Sequence, residues 1–254
     1  MFGRRTEIDN PDTGKVEYEY SPAGDLIQKI TPELRKKGQS IKYHYNFTQL
    51  IRIDYPDMED TYFTYGNPGA GNNRAGRIAT VETGSTREER YYGRLGELVK
   101  ETKSILADGT WHTFTTSYEF DSLGRMRSMV FPNGEVLTYG YDRGGLVATA
   151  IGMKDDTTEN YVKDIQYNAF GQRTRIEYGN GAIGTYQYDP AMQRLINLTT
   201  KNTSGVVYQN INYEYDQAGN ITKRTNTDFN TTGTDPKTST QEYTYDAMNR
   251  LKTS

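Results

Sequence analysis

One motif recurs along the whole chain: Tyr-x-Tyr-Asp-x-x-Gly-Arg/Asn-Leu. Its clearest copies are Tyr118-Glu-Phe120-Asp121-Ser-Leu-Gly124-Arg125-Met126 and Tyr213-Glu-Tyr215-Asp216-Gln-Ala-Gly219-Asn220-Ile221. Looser copies place the second aromatic at Tyr20, Tyr45, Tyr65, Tyr92, Tyr141, Tyr167, Tyr188 and Tyr245. The ten anchors are 20 to 30 residues apart, a period of about 25. Self-similarity at such a period constrains the fold more than any other feature, because each repeat is one small unit that completes its burial only against its neighbours.

The motif has a mechanical reading. Residues i and i+2 of a strand share a face, so the two aromatics lie side by side. Asp followed by Gly three residues later suits a type I turn. With that Gly at φ > 0, the turn becomes a three-residue hairpin loop with a bulge. In this register the aromatic faces an aliphatic six residues on: Tyr20–Leu26, Tyr92–Leu98, Phe120–Met126, Tyr215–Ile221 and Tyr245–Leu251. Tyr167–Arg173 is the exception, and there the arginine stem covers the ring. The turn-forming positions are therefore Tyr20 with Gly24, Tyr92 with Gly96, and Phe120 with Asp121 and Gly124. Tyr141 with Asp142, Tyr167 with Gly171, Tyr188 with Asp189, Tyr215 with Asp216 and Gly219, and Tyr245 with Asp246 complete the set.

A second turn lies between motifs. Pro132-Asn133-Gly134, Gly179-Asn180-Gly181 and Asp108-Gly109 carry hairpin-turn residues between stretches rich in Thr, Tyr, Ile and Val. Each repeat is then strand, turn, strand, turn. The reading is all-β: a continuous ribbon of about twenty mostly antiparallel strands over residues 1–254, with loop insertions near 66–76 and 225–240. After Thr31-Pro32-Glu33 the spacing allows at most one helical turn, to about Lys37. So many strands cannot stay an open flat sheet, because strands twist, and the ribbon is expected to curl.

Composition bears on the thickness of that ribbon. Leu, Ile, Val and Phe make up 44 of 254 residues, too few for one thick core, while 22 Tyr supply the buriable surface. A net charge of −3 gives no reason to expect nucleic acid or an anionic membrane as partner. Without cysteine there is neither disulfide nor thiolate metal site. The longest apolar stretch, around Leu146–Ile151, is too short to span a bilayer, and the first residues lack the apolar core of a secretory signal.

At this point the residues resemble a family. The recurring Tyr-x-Tyr-Asp-x-x-Gly-Arg-Leu, with Tyr-Gly-Asn-Gly and Phe-Pro-Asn-Gly turns between copies, is similar to the YD repeats of RHS proteins, and the likeness covers essentially the whole chain. Teneurins and bacterial wall-associated proteins share these repeats. The resemblance implies a β-ribbon spiralling into a hollow shell around a C-terminal toxin, as in polymorphic toxins and the B and C components of Tc toxins. It implies as partners the remaining shell and an encapsulated toxin polypeptide, with delivery outside the producing cell. Phe2-Gly3-Arg4-Arg5-Thr6-Glu7-Ile8 lines up with Phe170-Gly171-Gln172-Arg173-Thr174-Arg175-Ile176, so the chain reads as a piece of a longer shell. The self-cleavage segment of such shells has no match here; Asp189-Pro190 lies inside a YD motif.

Candidate chemistry is sparse. Asp54, Asp57, Glu59 and Asp60 form an acidic cluster without the loop of an EF-hand, and read as a solvated turn. The glycine loop 66–76 is followed by no Gly-Lys-Ser/Thr and no helix, which argues against phosphate binding. His44 and His112 sit in strands without a nucleophile in a recognisable setting. No catalytic, cofactor or metal residue is assigned, and the expectation is a structural element rather than an enzyme. The alternative is an extracellular adhesion or carbohydrate-binding repeat, since Tyr-rich ribbons can stack on sugars.

Overall fold

In a computed structural model the described residues are 3–228 and 237–253, and they fall into two compact units. The first comprises Met1–Arg125 with Val130–Pro132, and the second Met126–Met129 with Asn133–Ser254. Strand is the dominant regular structure of the described residues, with one short helix.

The first unit holds β1 (Glu7–Asn10), β2 (Gly14–Tyr20), β3 (Leu26–Ile30), α1 (Pro32–Lys36), β4 (Ile41–Asn46), β5 (Gln49–Asp54), β6 (Thr61–Tyr65), β7 (Ile78–Glu82), β8 (Thr86–Tyr92), β9 (Leu98–Ala107) and β10 (Thr110–Phe120). Each strand pairs antiparallel with the next from β1 to β10. The helix is the single turn that the Thr-Pro-Glu sequence allows. Thr31 caps it by accepting a hydrogen bond from the Leu34 N–H, and Pro32 fills the first position, where no N–H is needed.

β11 (Met126–Val130) leads into the second unit. There follow β12 (Val136–Tyr141), β13 (Val147–Lys154), β14 (Thr157–Tyr167), β15 (Arg173–Tyr178), β16 (Ile183–Tyr188), β17 (Leu195–Lys201), β18 (Val207–Tyr215), β19 (Ile221–Asp228), β20 (Lys237–Glu242), β21 (Thr244–Tyr245) and β22 (Leu251–Thr253). From β12 to β20 every strand again pairs antiparallel with its successor, and β21 pairs with β22.

The segment 66–76 is a run of turns, closed by a bridge between Gly66 and Ala75. Within 225–240 the described residues are strand rather than loop: 225–228 belong to β19, 237–240 to β20, and they pair with each other. Alternating Thr and Asn suit a half-solvated ladder there, and residues 229–236 lie outside the described residues.

Burial follows the composition. Among the described residues the buried side chains are Ala150, Ile176, Ile211 and Ser128, joined by the glycines Gly152, Gly181 and Gly184. With so few buried aliphatics, contacts between neighbouring hairpins carry much of the stability.

Candidate functional site: a seam of tyrosines and turns

The motif aromatics Tyr20, Tyr92, Phe120, Tyr141, Tyr167, Tyr188, Tyr215 and Tyr245 are each the last residue of their strand. Within each unit the tyrosines face the expected partners across the hairpin. Tyr20 pairs with Leu26, Tyr92 with Leu98, Tyr167 with Arg173, Tyr215 with Ile221 and Tyr245 with Leu251. Tyr141 opposes Val147 at the same offset. Tyr45 opposes Leu50, Tyr65 opposes Ile78 and Tyr188 opposes Leu195, because their turns are shorter or longer.

The turn itself is a compact hydrogen-bonded unit. The Asp216 N–H donates to the Asn220 carbonyl at 3.0 Å, and the Gly219 N–H donates back to the Asp216 carbonyl at 3.2 Å. The same two bonds close the turns at Asp121, Asp142, Asn168 and Asp246. The side chain of the first residue then turns inward. Asp121 Oδ1 accepts from the N–H of Leu123 and Arg125, Asp189 Oδ1 from Ala191 and Met192, and Asp246 Oδ1 from Met248 and Arg250. Asp142 accepts from Leu146, and Asp216 from Asn220.

These donors favour the ionised carboxylate. Backbone N–H groups, led by those of Arg125, Met192 and Arg250, hold the carboxyls of Asp121, Asp189 and Asp246 below the usual range. For Asp216 the leading donor is the Asn220 side chain. Ser21 and Asn168 do the same structural work without charge, Ser21 through its hydroxyl and Asn168 through its amide oxygen.

Gly24, Gly96, Gly124, Gly171 and Gly219 sit at φ of 98°, 90°, 76°, 74° and 98°. Gly145 takes the same place after Asp142, at 84°, although its pattern Asp-Arg-Gly-Gly leaves two glycines to choose between. Asn249 replaces glycine at 59° and Gln193 at 57°. One more feature is invisible in the motif. Directly after each paired residue the second strand carries an extra residue, as at Thr222, where Glu214 opposes Lys223 but Tyr215 opposes Ile221. Such a bulge, present at the nine tyrosine-ended motif hairpins, sharpens the local twist.

The repeats are tied by the tyrosine hydroxyls. Apart from Tyr45, each motif tyrosine reaches back to the backbone carbonyl of the residue that closes the preceding hairpin. Tyr65 donates to Leu50 at 3.1 Å, Tyr92 to Ile78 at 2.8 Å, Tyr141 to Met126 at 2.6 Å and Tyr167 to Val147 at 2.7 Å. Tyr188 donates to Arg173 at 3.0 Å, Tyr215 to Leu195 at 2.7 Å and Tyr245 to Ile221 at 3.0 Å. Tyr20 begins the series on the Arg5 carbonyl at 3.1 Å. Phe120, without a hydroxyl, leaves a missing rung.

A second tie runs forward. The residue after the motif glycine, or its equivalent, extends over the next hairpin. Arg4 lies over the Tyr20 ring, Arg77 over Tyr92 and Arg194 over Tyr215, at 5.9, 5.6 and 5.5 Å from the ring centres. Arg194 also donates to the Asp216 carbonyl at 2.9 Å. Gln172 donates to the Gln193 carbonyl at 2.7 Å, and Asn220 to Asn249 Oδ1 at 2.9 Å. The Arg194 guanidinium comes within 3.3 Å of where a Cβ on Gly219 would stand. Glycine there serves both the positive φ and the arginine above it.

The other candidates disperse. Asp54 binds His44 Nε2 at 2.8 Å and Arg52, and Asp60 binds Arg52 at 3.1 Å. Asp57 pairs with Lys37 at 2.7 Å, and Glu59 accepts from the Ser85 hydroxyl at 2.6 Å. Each carboxylate is thus already engaged by a donor, Arg52 serving both Asp54 and Asp60, and among the described residues no group of three or more acids and histidines is placed to hold a metal. His112 opposes Ile105 in the β9–β10 hairpin. No described helix is long and apolar enough to cross a membrane.

An antiparallel ribbon of YD hairpins, each tied to the last, is the class of fold this chain has. It is shared with the TcdB2-TccC3 structure (TM-score 0.77, 21% identity) and with the Photorhabdus luminescens Tc holotoxin pore (TM-score 0.76, 21% identity). Both matches take in 98% of this chain and 13% of the other. A TcdB2-TccC3 structure without the hypervariable C-terminal region matches at 0.75 over 96% of the chain, so the likeness lies outside that region. In sequence, mouse Teneurin-4 is 28% identical over 159 residues, 61% of this chain and 5% of that protein. No protein-family model matches. The resemblance of the motifs to RHS and YD repeats therefore holds in the fold as well.

Proposed function

We propose that the chain is a wall segment of an RHS-type shell that encloses a toxin polypeptide and keeps it from its surroundings until delivery outside the producing cell. The observation that carries this reading is the seam. Hydroxyl-to-carbonyl ties backward and arginine contacts forward make a sheet continuous without a core, which is what a thin wall needs and a globular domain does not. The likeness in fold to the Tc holotoxin supports the same reading. Its partners are the rest of the shell and the enclosed polypeptide. The role is structural: the turn aspartates are held by backbone amides and neighbouring side chains, which closes the turns.

The test is proteolysis of the protein made from its genomic reading frame. A polypeptide encoded with the repeats is expected to resist protease when attached to them and to be digested when produced alone. Equal digestion in both settings, or a reading frame that encodes repeats and nothing else, overturns the proposal.

A further inference from the structure

Consecutive hairpins of the first unit are not tied equally. Between β3 and β4 the register holds for Gln28–Lys42 and Lys29–Ile41 alone. The pairings β5–β6 and β7–β8 are nearly as short, but each has further ties. Across β5–β6 the Tyr65 hydroxyl donates to the Leu50 carbonyl at 3.1 Å, and Arg52 donates to Asp60 at 3.1 Å. Across β7–β8 Tyr92 donates to the Ile78 carbonyl at 2.8 Å, and Arg87 pairs with Glu82 at 3.1 Å. The turn of the β6–β7 hairpin adds Asn73 on the Tyr92 carbonyl and Arg74 on the Arg90 carbonyl, at 3.0 and 2.7 Å. At β3–β4 the rungs skip a place. They pass from Tyr20 to Tyr65, and Tyr45, whose acceptor in register is the Leu26 carbonyl, makes no such bond. Among the described residues no side chain of β3 bonds to one of β4.

The connection across this joint, residues 31–40, leans to one side. Pro32 packs against Gly14, 2.8 Å from where a Cβ there would stand. Arg35 pairs with Glu17 at 2.9 Å and donates to the Lys15 carbonyl at 3.0 Å. These contacts fix α1 to the β1–β2 hairpin. Beyond α1 the chain loosens. Gly38 sits at φ 67°, with nothing within 4 Å of the place of a Cβ. Gln39 keeps a buried Oε1 without a hydrogen-bond partner. A cavity of about 320 Å³ lies between Gly38, Gln39 and Ser40 on one side and Asp54, Tyr55 and Pro56 on the other. The side-chain tie over this gap is the ion pair of Lys37 with Asp57 at 2.7 Å, both about half exposed.

We infer that the β3–β4 joint is a hinge. The strands before it, with α1, swing as one body against the strands from β4 onward, turning about Gly38, and the Lys37–Asp57 pair is the latch. Such motions pivot on a few loop or element-terminal residues that take up the change in backbone angles. Opening releases two register pairs and one exposed ion pair, while the β2–β3 and β4–β5 hairpins keep their own pairing. Local opening is cheapest where so little is given up. An exposed ion pair is weak and screened by salt, so the latch answers to ionic strength. In a wall, a joint of this kind lets one hairpin part from the next without unravelling either. That consequence rests on the shell reading, while the hinge itself does not.

Hydrogen exchange of the purified 254-residue chain, followed by mass spectrometry, tests it. The amides of the β3–β4 pairing are expected to exchange at least about tenfold faster than those of β5–β6, the equally short pairing that has a rung. Lys37→Gln, a change on an exposed side chain, should speed exchange at β3–β4 alone by about threefold. Added salt should do the same to the wild type and nothing more to the variant. Gln28 and Lys42 oppose each other in register, at a spacing that a disulfide can bridge. Gln28→Cys with Lys42→Cys, in a chain otherwise free of cysteine, should slow β3–β4 to the level of β5–β6 when oxidised and release it again on reduction. Exchange at β3–β4 no faster than at β5–β6, or unmoved by both the loss of the latch and the cross-link, overturns the hinge. Protection of an enclosed polypeptide is a separate measurement, so either reading fails without the other.

Discussion

The tyrosine rungs can be removed without touching the rings. Tyr141→Phe, Tyr167→Phe and Tyr215→Phe each delete one hydroxyl that donates to a partly buried carbonyl at 2.6, 2.7 and 2.7 Å. A protein hydrogen bond contributes about 1 kcal/mol net, and a carbonyl left without its donor makes the loss no smaller. The ring stays, so its apolar contact is kept. The three sites lie 26 and 48 residues apart in different hairpins, far enough to act independently. The triple variant should therefore lose about 3 kcal/mol, and each single variant about a third of that. Urea denaturation followed by tyrosine fluorescence measures it, with the single variants setting the additivity. The reverse change is Phe120→Tyr. In register, its hydroxyl belongs on the Leu98 carbonyl, and it should add up to about 1 kcal/mol. A triple variant with the wild-type midpoint would refute the idea that the hydroxyls tie the repeats.

Gly219→Val should cost at least about 1 kcal/mol, since a β-branched residue is strained at φ 98° and its side chain meets Arg194; an unchanged denaturation midpoint would count against it. The aspartates of the turns predict an acid limit. Their folded-state carboxyls titrate lower than in the unfolded chain, so their contribution is present above about pH 4 and is lost as pH falls through the folded values. Asp121→Asn with Asp189→Asn, Asp216→Asn and Asp246→Asn should flatten that loss below about pH 4, as Asn168 already makes the same bonds uncharged; unfolding curves at each pH decide it. Tyr118, pushed up to about 12 by burial and then by its bond to Glu101, keeps its proton in the folded chain. It supports the fold up to its unfolded value near pH 10 and loses that support between there and about 12, so Tyr118→Phe should move alkaline unfolding, followed by circular dichroism.

How much of this was legible in the sequence depends on distance along the chain. The turn, its glycine, the offset of six and the single helical turn after Thr31 are local, set by residues within one hairpin, and the motif spells them out. The rungs are not local. Tyr215 and Leu195 are 20 residues apart and Tyr245 and Ile221 are 24, so no fixed spacing announces the bond. The acceptor is a backbone carbonyl, which leaves no mark on the sequence. The arginine over the next ring could have been suspected at two places, because Arg77 and Arg194 each directly precede the aliphatic of a motif. Strand continuing through 225–228 and 237–240 was hidden by composition: Thr and Asn look like loop, yet paired across a ladder, as Thr227 is with Thr238 at 3.1 Å between hydroxyls, they hold a solvated strand.

The rungs all point the same way. Each tyrosine reaches to a hairpin made earlier in the chain, never to one made later. During synthesis the acceptor carbonyl has therefore left the ribosome, and its hairpin has closed, before the hydroxyl that needs it emerges. For its tyrosine rung every newly made repeat meets an acceptor already in place, while the forward contacts of Arg77 and Arg194 are completed when the next hairpin follows. A polypeptide built on this rule can add each hairpin to the one before it at the pace of translation.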